Sequence, residues 1–362
     1  MDNELIGKYA DEWKQIGEYI SPWGGNAREP MRNYPITERE NFERLFRHEK
    51  PVYIASLNDM TAFSPAIIPD HKVRAWALEL GEPSLPGGKC DGGPDMFGVQ
   101  WDYVPVTGGS MVHGDNPKIK DITHWEDYIT FPDLDSYDWE GSAKVNAPLF
   151  SPRRMNRIWL MNGLNERMLS LMNFRDVMVA YVDEDQQEGV HRFFDRLCTF
   201  YDDLFDRYRR WYHCDVVMFN DDWGTQRGPQ FSPDTASEML APYIRRLVES
   251  CHKRGMYFEL HSCGRNDIIA PVFAEAGVDL WAPQENINDY DLLYRLIGDR
   301  VALSFPTDST PDMTDEEAWA SAERFMERFG KYGNVIINTA FPIQHPRVGE
   351  FVYYLSREAY AE

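Results

Sequence analysis

From residue 157 onward, short β-branched and aromatic runs alternate with long amphipathic stretches, and this alternation restricts the fold more than any other feature. The strand-like runs are 157–161, 215–219, 257–261, 278–282, 301–305 and 335–338. Between them lie helical patterns from about 185 to 211, then 233–254, 267–276, 290–297 and 314–329, with a helix at the C-terminus. Strands joined through helices make βα units and a parallel sheet. Residues 51–55 supply an earlier strand, which brings the count to seven, and an eighth has no clear signature. The expected fold class is α/β, a (β/α)8 TIM barrel. A doubly wound open sheet would carry a glycine-rich phosphate loop after its first strand. Here that strand is followed by Ser56-Leu57-Asn58-Asp59.

A chain of 362 residues fits one barrel with additions. Residues 1–36, broken by Pro22, Gly24, Gly25 and Pro30, read as a short helix, a loop and an N-terminal extension packed on the barrel. Residues 37–362 read as a single barrel domain, opened by Thr37 as the N-cap of a helix through His48. Residues 83–117 are rich in Gly and Pro. They form a long loop and hairpin insertion after the first strand, with 97–101 as a hairpin strand. Long loops of this kind in compact domains tend to be functional.

The formal net charge of −22 argues against nucleic acid and anionic membranes as partners. No apolar run is long enough to span a bilayer, and Met1-Asp2-Asn3-Glu4 does not begin a secretory signal. Five cysteines, Cys90, Cys198, Cys214, Cys251 and Cys263, follow no framework spacing, so a reduced, cytoplasmic protein is expected. Aromatic residues make up 14% of the chain, enough to line a deep pocket for a flat ligand as well as fill a core.

In a (β/α)8 barrel the active site gathers where strands end and helices have not begun. The strand ends here read Asn220-Asp221-Asp222-Trp223-Gly224-Thr225-Gln226, His261-Ser262-Cys263-Gly264, Pro283-Gln284-Glu285-Asn286, Pro306-Thr307-Asp308 and Asn338-Thr339-Ala340-Phe341. His261 and Cys263 fall on the same face of a strand, and imidazole with thiolate is a natural zinc pair. Asp221 and Asp222 face opposite ways, so one can enter the mouth as acid, base or ligand while the other caps a helix. Both are candidate catalytic residues, and Asn220, Gln226, Gln284 and Asp308 are candidate substrate-binding residues. His213 and Cys214 precede a strand, at the opposite rim, and read as structural.

These motifs resemble the uroporphyrinogen decarboxylase superfamily, and more closely its branch of cobalamin-dependent methyltransferases. The matching pieces are Thr37-Glu38-Arg39-Glu40, Phe97-Gly98-Val99-Gln100-Trp101, the Asp221 to Gln226 stretch, His261-Ser262-Cys263-Gly264, and the segment from Ile268 to Gln284. The resemblance implies a barrel with a deep cleft. There a methyl group carried as methylcobalamin on a corrinoid-binding partner protein passes to a small-molecule acceptor, a thiol or tetrahydrofolate. True decarboxylases of that superfamily carry an Arg-rich N-terminal segment, which Ala27-Arg28-Glu29-Pro30-Met31-Arg32-Asn33 does not match.

Thiol-using members hold zinc through His-x-Cys and a further cysteine after the last strand. His261 and Cys263 match the pair, but no cysteine follows Cys263. Asp222 is then the candidate third ligand. A site short of one thiolate is weaker for zinc, and the expectation shifts to a tetrahydrofolate-type acceptor held by carboxylates and amides. Two alternatives remain at this level: a decarboxylase of a tetrapyrrole-like or aromatic acid, and a non-catalytic binder of a corrinoid protein or small ligand.

Overall fold

A computed structural model describes residues 1–23, 27–81, 92–105, 109–113, 116–331, 333–339 and 343–361. Seven parallel strands form one sheet in chain order: β1 (Thr61–Phe63), β2 (Asn156–Leu160), β3 (Val216–Asn220), β4 (Tyr257–Ser262), β5 (Leu280–Pro283), β6 (Ala302–Phe305) and β7 (Val335–Ile337). Every neighbouring pair is parallel, which requires the crossover helices that the alternation implied. The sheet curls back on itself through a parallel bridge between Ser56 and Ile337, with the Ile337 N–H donating to the Ala55 carbonyl at 2.9 Å. The architecture is an α/β barrel of the (β/α)8 type.

Residues 51–55, expected as the first strand, are not one. Pro51 has no N–H to donate, and side chains take the backbone groups that a ladder would use. Asn41 donates to the Tyr53 carbonyl at 2.9 Å and accepts from Val52 N–H at 2.8 Å, while Ser356 Oγ accepts from Ile54 N–H at 3.0 Å. The strand beside β2 is instead the three-residue Thr61–Phe63, too short to show a period in the sequence.

The helix Glu38–Phe46 begins with a reciprocal capping box between Thr37 and Glu40. The 29-residue helix Glu184–Tyr212 buries Phe193, Leu197, Tyr201, Leu204 and Tyr208 and stops where His213 turns left-handed at φ 51°. The N-terminal stretch holds a helix, Asn3–Tyr9, and an antiparallel hairpin, Gln15–Ile20 with Arg28–Arg32, where the sequence pattern predicts a loop. Glu12 ties this stretch to the C-terminal helix by a 2.8 Å ion pair with Arg357.

Much of the insertion after β1 lies in the described residues as a three-stranded antiparallel sheet, Gly93–Pro94, Gln100–Val104 and Gly109–Val112. The expected hairpin strand at 97–101 therefore begins at Gln100. Asp95 organises the turn before it, accepting from Phe97 N–H and Val99 N–H at 2.9 Å and from Trp101 Nε1 at 3.0 Å. Arg167 then joins Asp95, at 2.6 Å, to Asp70, with all three buried. A buried arginine between two carboxylates fixes the insertion over the barrel at a desolvation cost.

Cys198, Cys214, Cys251 and Cys263 are free thiols, and Cys90 lies outside the described residues. Among the described residues no helix is long and apolar enough to cross a membrane. At the end of β4 away from the cleft, Asp279 accepts from Phe258 N–H at 2.7 Å and pairs with His252 at 2.8 Å, which raises the imidazole above its ordinary value of 6.5. A raised histidine stabilises the fold below pH 6.5 and loses that contribution as pH rises through the folded value. His252 is 45% exposed, so screening keeps the effect near 0.5 kcal/mol or less. His252→Gln is expected to melt about 1 °C lower than the parent at pH 5.5 and to match it at pH 8.5 in a thermal unfolding series.

Candidate functional site

A cavity of about 440 Å³ opens at the C-terminal ends of the strands. The alternation of strand side chains places Asn220 and then Asp222 on its wall from β3, His261 and Cys263 from β4, and Ala282 and Gln284 from β5. One ligand atom from each of Asp222, His261 and Cys263 falls within 4.8 Å of the other two. His261 Nδ1 lies 3.1 Å from the Ala282 carbonyl, so it carries the proton and donates there. That leaves the Nε2 lone pair facing the Cys263 sulfur at 3.3 Å. Metal-ligating histidines are oriented by this same outer hydrogen bond.

Two glycines bring these residues together. Gly264 has φ 87°, and a Cβ there would fall 2.2 Å from the Gly224 carbonyl carbon. A Cβ on Gly224 would fall 2.7 Å from the Cys263 carbonyl oxygen. The loops after β3 and β4 therefore cross in backbone contact, pinned by Gly224 N–H to the Cys263 carbonyl at 3.1 Å and Arg265 N–H to the Thr225 carbonyl at 2.8 Å. Cys263 N–H donates to Asp222 Oδ1 at 2.7 Å, and Gly264 N–H to Gln284 Oε1 at 2.7 Å. Without a cation the three side chains resist charge. Burial, with the Asp222 and Glu166 carboxylates nearby, pushes the Cys263 thiol far up, burial pushes His261 down, and burial pushes Asp222 up. Sulfur, nitrogen and oxygen donors that gain from a nearby cation fit zinc, as three protein ligands with one position left open.

The two aspartates divide as neighbours on a strand must. Asp222 faces the cleft. Asp221 is fully buried and is not among the residues that line it. Its carboxyl accepts from Glu166 N–H at 2.8 Å, Asn165 N–H at 3.2 Å and Trp223 Nε1 at 2.8 Å. The helix Leu164–Leu171 starts at Gly163, which has no side chain to cap it, so Asp221 takes that role. It thus caps the helix after β2 rather than the next one along the chain.

Of the other expected residues, Asn220 lines the cleft and donates to Glu166 at 2.6 Å, and Gln284 lines it as well. Gln226 is exposed in a turn, outside the cavity. Asp308 faces the helix Asp315–Phe329, where it is paired with Arg324 at 2.8 Å and bonded to Ser321. Its position just past a strand end matches the sequence pattern, but its side chain is used on the outer surface. Ala340 and Phe341, part of the last strand-end motif, lie outside the described residues.

Several cleft residues are not evident from the strand-end pattern. Trp23, Trp76 and Trp159 pack on one another with ring centroids 5.2–6.5 Å apart and form an apolar wall with Met161 and Met218. Arg74 lines the cleft, held by Glu166 at 3.0 Å and by Asn162 at 2.5 Å, where Asn162 takes a left-handed backbone at φ 60°. Arg154, nearly buried just before β2, also lines the cavity and is paired with Glu29 at 2.6 Å. Arg157 lies on the floor, bidentate to Glu259, with its second bond at 2.6 Å. Arg157, Trp159 and Met161 share one face of β2 by strand alternation, and the closed sheet turns that face toward the cleft. Trp23 and Trp76 come from irregular segments with no such period.

The fold has a solved counterpart. A methyltransferase from Methanosarcina mazei matches with a TM-score of 0.61 at 14% sequence identity, over 91% of this chain and 100% of that one. Weaker matches include a sugar phosphate isomerase/epimerase from Parabacteroides distasonis, with TM-score 0.30, 12% identity, and 66% and 82% coverage. Another is a D-psicose 3-epimerase from Clostridium cellulolyticum, with TM-score 0.34, 13% identity, and 61% and 81% coverage. No protein-family model matches the chain, and no curated protein does either.

Proposed function

We propose that this chain is a methyltransferase that works between a methylated corrinoid on a partner protein and a small-molecule acceptor seated in the cleft. The grouping of Asp222, His261 and Cys263 at the open mouth carries the reading, and the fold shared with a methyltransferase supports it. Asp222, His261 and Cys263 would hold zinc, which when bound lowers the pKa of a thiol acceptor and keeps it as the nucleophilic thiolate. The chain's own residues prepare that position. The Ala282 carbonyl fixes the His261 tautomer, and Cys263 N–H fixes Asp222. The tryptophan wall and Met218 exclude water from one side of the cleft. The cobalt chemistry belongs to the partner's cofactor, and the barrel orients the acceptor toward it.

Tetrahydrofolate is the second reading, favoured by the tryptophan wall in a cleft also lined by the amides of Asn220, Gln284 and Asn58, which suit a pterin. Absorbance loss of free methylcobalamin separates the two. Turnover with a simple thiol that stops on chelation is expected for the first, and chelator-insensitive turnover with tetrahydrofolate supports the second. No methyl loss with either acceptor overturns methyl transfer. Carbon dioxide release from an aromatic acid would then favour a decarboxylase.

A further inference from the structure

We infer that the floor of the cleft anchors a carboxylate, and that the small-molecule methyl acceptor is a flat aromatic acid bearing a thiol: the cobalt–methyl bond breaks, a sulfur–methyl bond forms, and the thiol proton leaves to solvent. The inference rests on the methyl-transfer reading only for the step after binding. Arg157 is almost completely buried, yet it lines the cavity. Its Nε and Nη2 go to the two oxygens of Glu259. Nη1 donates to nothing among the described residues and is not shut away from the cavity. A guanidinium held side-on by one carboxylate keeps its end-on fork, whose geometry matches a second carboxylate bidentately. The other two cleft arginines are less free. Arg74 spends Nη1 on both Asn162 and Glu166, and Arg154 pairs with Glu29 while lying 3.8 Å from the Tyr19 ring centroid.

Two further observations define what the anion is attached to. Trp159 stands two residues beyond Arg157 on the same strand face, with the guanidinium 5.3 Å from its ring centroid, and Trp76 lies tilted against it at 5.2 Å. A group rising from Arg157 toward the mouth runs along these rings, which favours a flat apolar body. Glu259 and His261 are likewise two residues apart on β4, a rise of roughly 6.6 Å. The Arg157 fork and the Asp222, His261 and Cys263 group are therefore separated by about one aromatic ring. A carboxylate at the floor would place the substituent on the far side of that ring at the proposed methyl-transfer position.

Calorimetric titration with benzoate and with benzamide tests this directly. Benzoate is expected to bind the parent protein one to one and at least about tenfold more tightly than benzamide. The double substitution Arg157→Gln with Glu259→Gln removes the anchor without stranding a buried charge. It is expected to abolish that preference while leaving benzamide affinity within about twofold. Equal binding of the two probes by the parent, no binding of either, or benzoate preference retained in the double variant overturns the inference. If the double variant does not fold, the parent comparison alone decides. Benzoate binding with no methyl loss from methylcobalamin to a mercaptobenzoate, a simple thiol or tetrahydrofolate defeats only the methyl-transfer reading, and methyl loss to one of these without benzoate binding defeats only this one.

Discussion

Asp221→Ala is expected to destabilise the fold by about 3 kcal/mol or more, although Asp221 adjoins a cleft residue. Its carboxylate is the acceptor for three buried donors: two backbone N–H groups in the first turn of the helix Leu164–Leu171, and the indole of Trp223. Removing it strands all three, at roughly 1–3 kcal/mol each before relaxation. The same helix carries Glu166, which holds Arg74 and Asn220 at the cleft wall, so the wall loosens with the helix start. Asp221→Asn keeps one accepting oxygen but turns an NH2 toward a donor, and should fall between the parent and alanine. Urea unfolding curves measure the loss as a shift in midpoint at constant slope. An alanine variant as stable as the parent but inactive would place Asp221 in the chemistry.

The second large effect concerns metal affinity. The protein purified with zinc in the medium is expected to hold one zinc ion per chain. Asp222→Ala, His261→Ala and Cys263→Ala should each weaken it by on the order of 10²-fold or more, measured in competition with a chromophoric chelator. Loss of outer-shell groups alone commonly costs 10–100-fold, and a ligand should cost at least as much. With three protein ligands, two donors remain in each variant, too few to compete with the chelator. Cys263→Ser separates sulfur from shape, because a hydroxyl fills the same space but is a poor zinc ligand at neutral pH. Equal metal content in the parent and all three variants would show that the grouping holds no ion.

These results bear differently on what was legible in advance. His261 and Cys263 could be paired from strand alternation, and their position at the mouth came from counting βα units. Nothing in the local sequence decided which aspartate joined them. Alternation separates Asp221 from Asp222, but which of them faces inward depends on the register of β3 against β4, where Asn220 lies beside His261. A one-residue slip would exchange the two. Gln226 and Asp308 show the limit of position as a guide. Both come after strands, yet one sits on an exposed turn and the other is drawn outward by Arg324.

By itself, the sequence determined the class of fold and the end of the barrel where chemistry gathers, because periodicity and strand-to-helix order are local properties of the chain. It also determined that no second cysteine joins Cys263 from a later strand. Only the tertiary structure decided how the barrel closes, through Ser56 and Ile337 rather than a regular strand at 51–55, because side chains of distant helices occupy that backbone. It likewise decided that Trp23, Trp76 and Trp159, 136 residues apart at the extremes, share one wall. The same holds for Arg157 and Glu259, whose meeting at the cleft floor comes from two non-adjacent strands on opposite sides of β3. Contacts of that kind depend on the curvature of the closed sheet, and a curvature set by all its strands together is not written in any one segment.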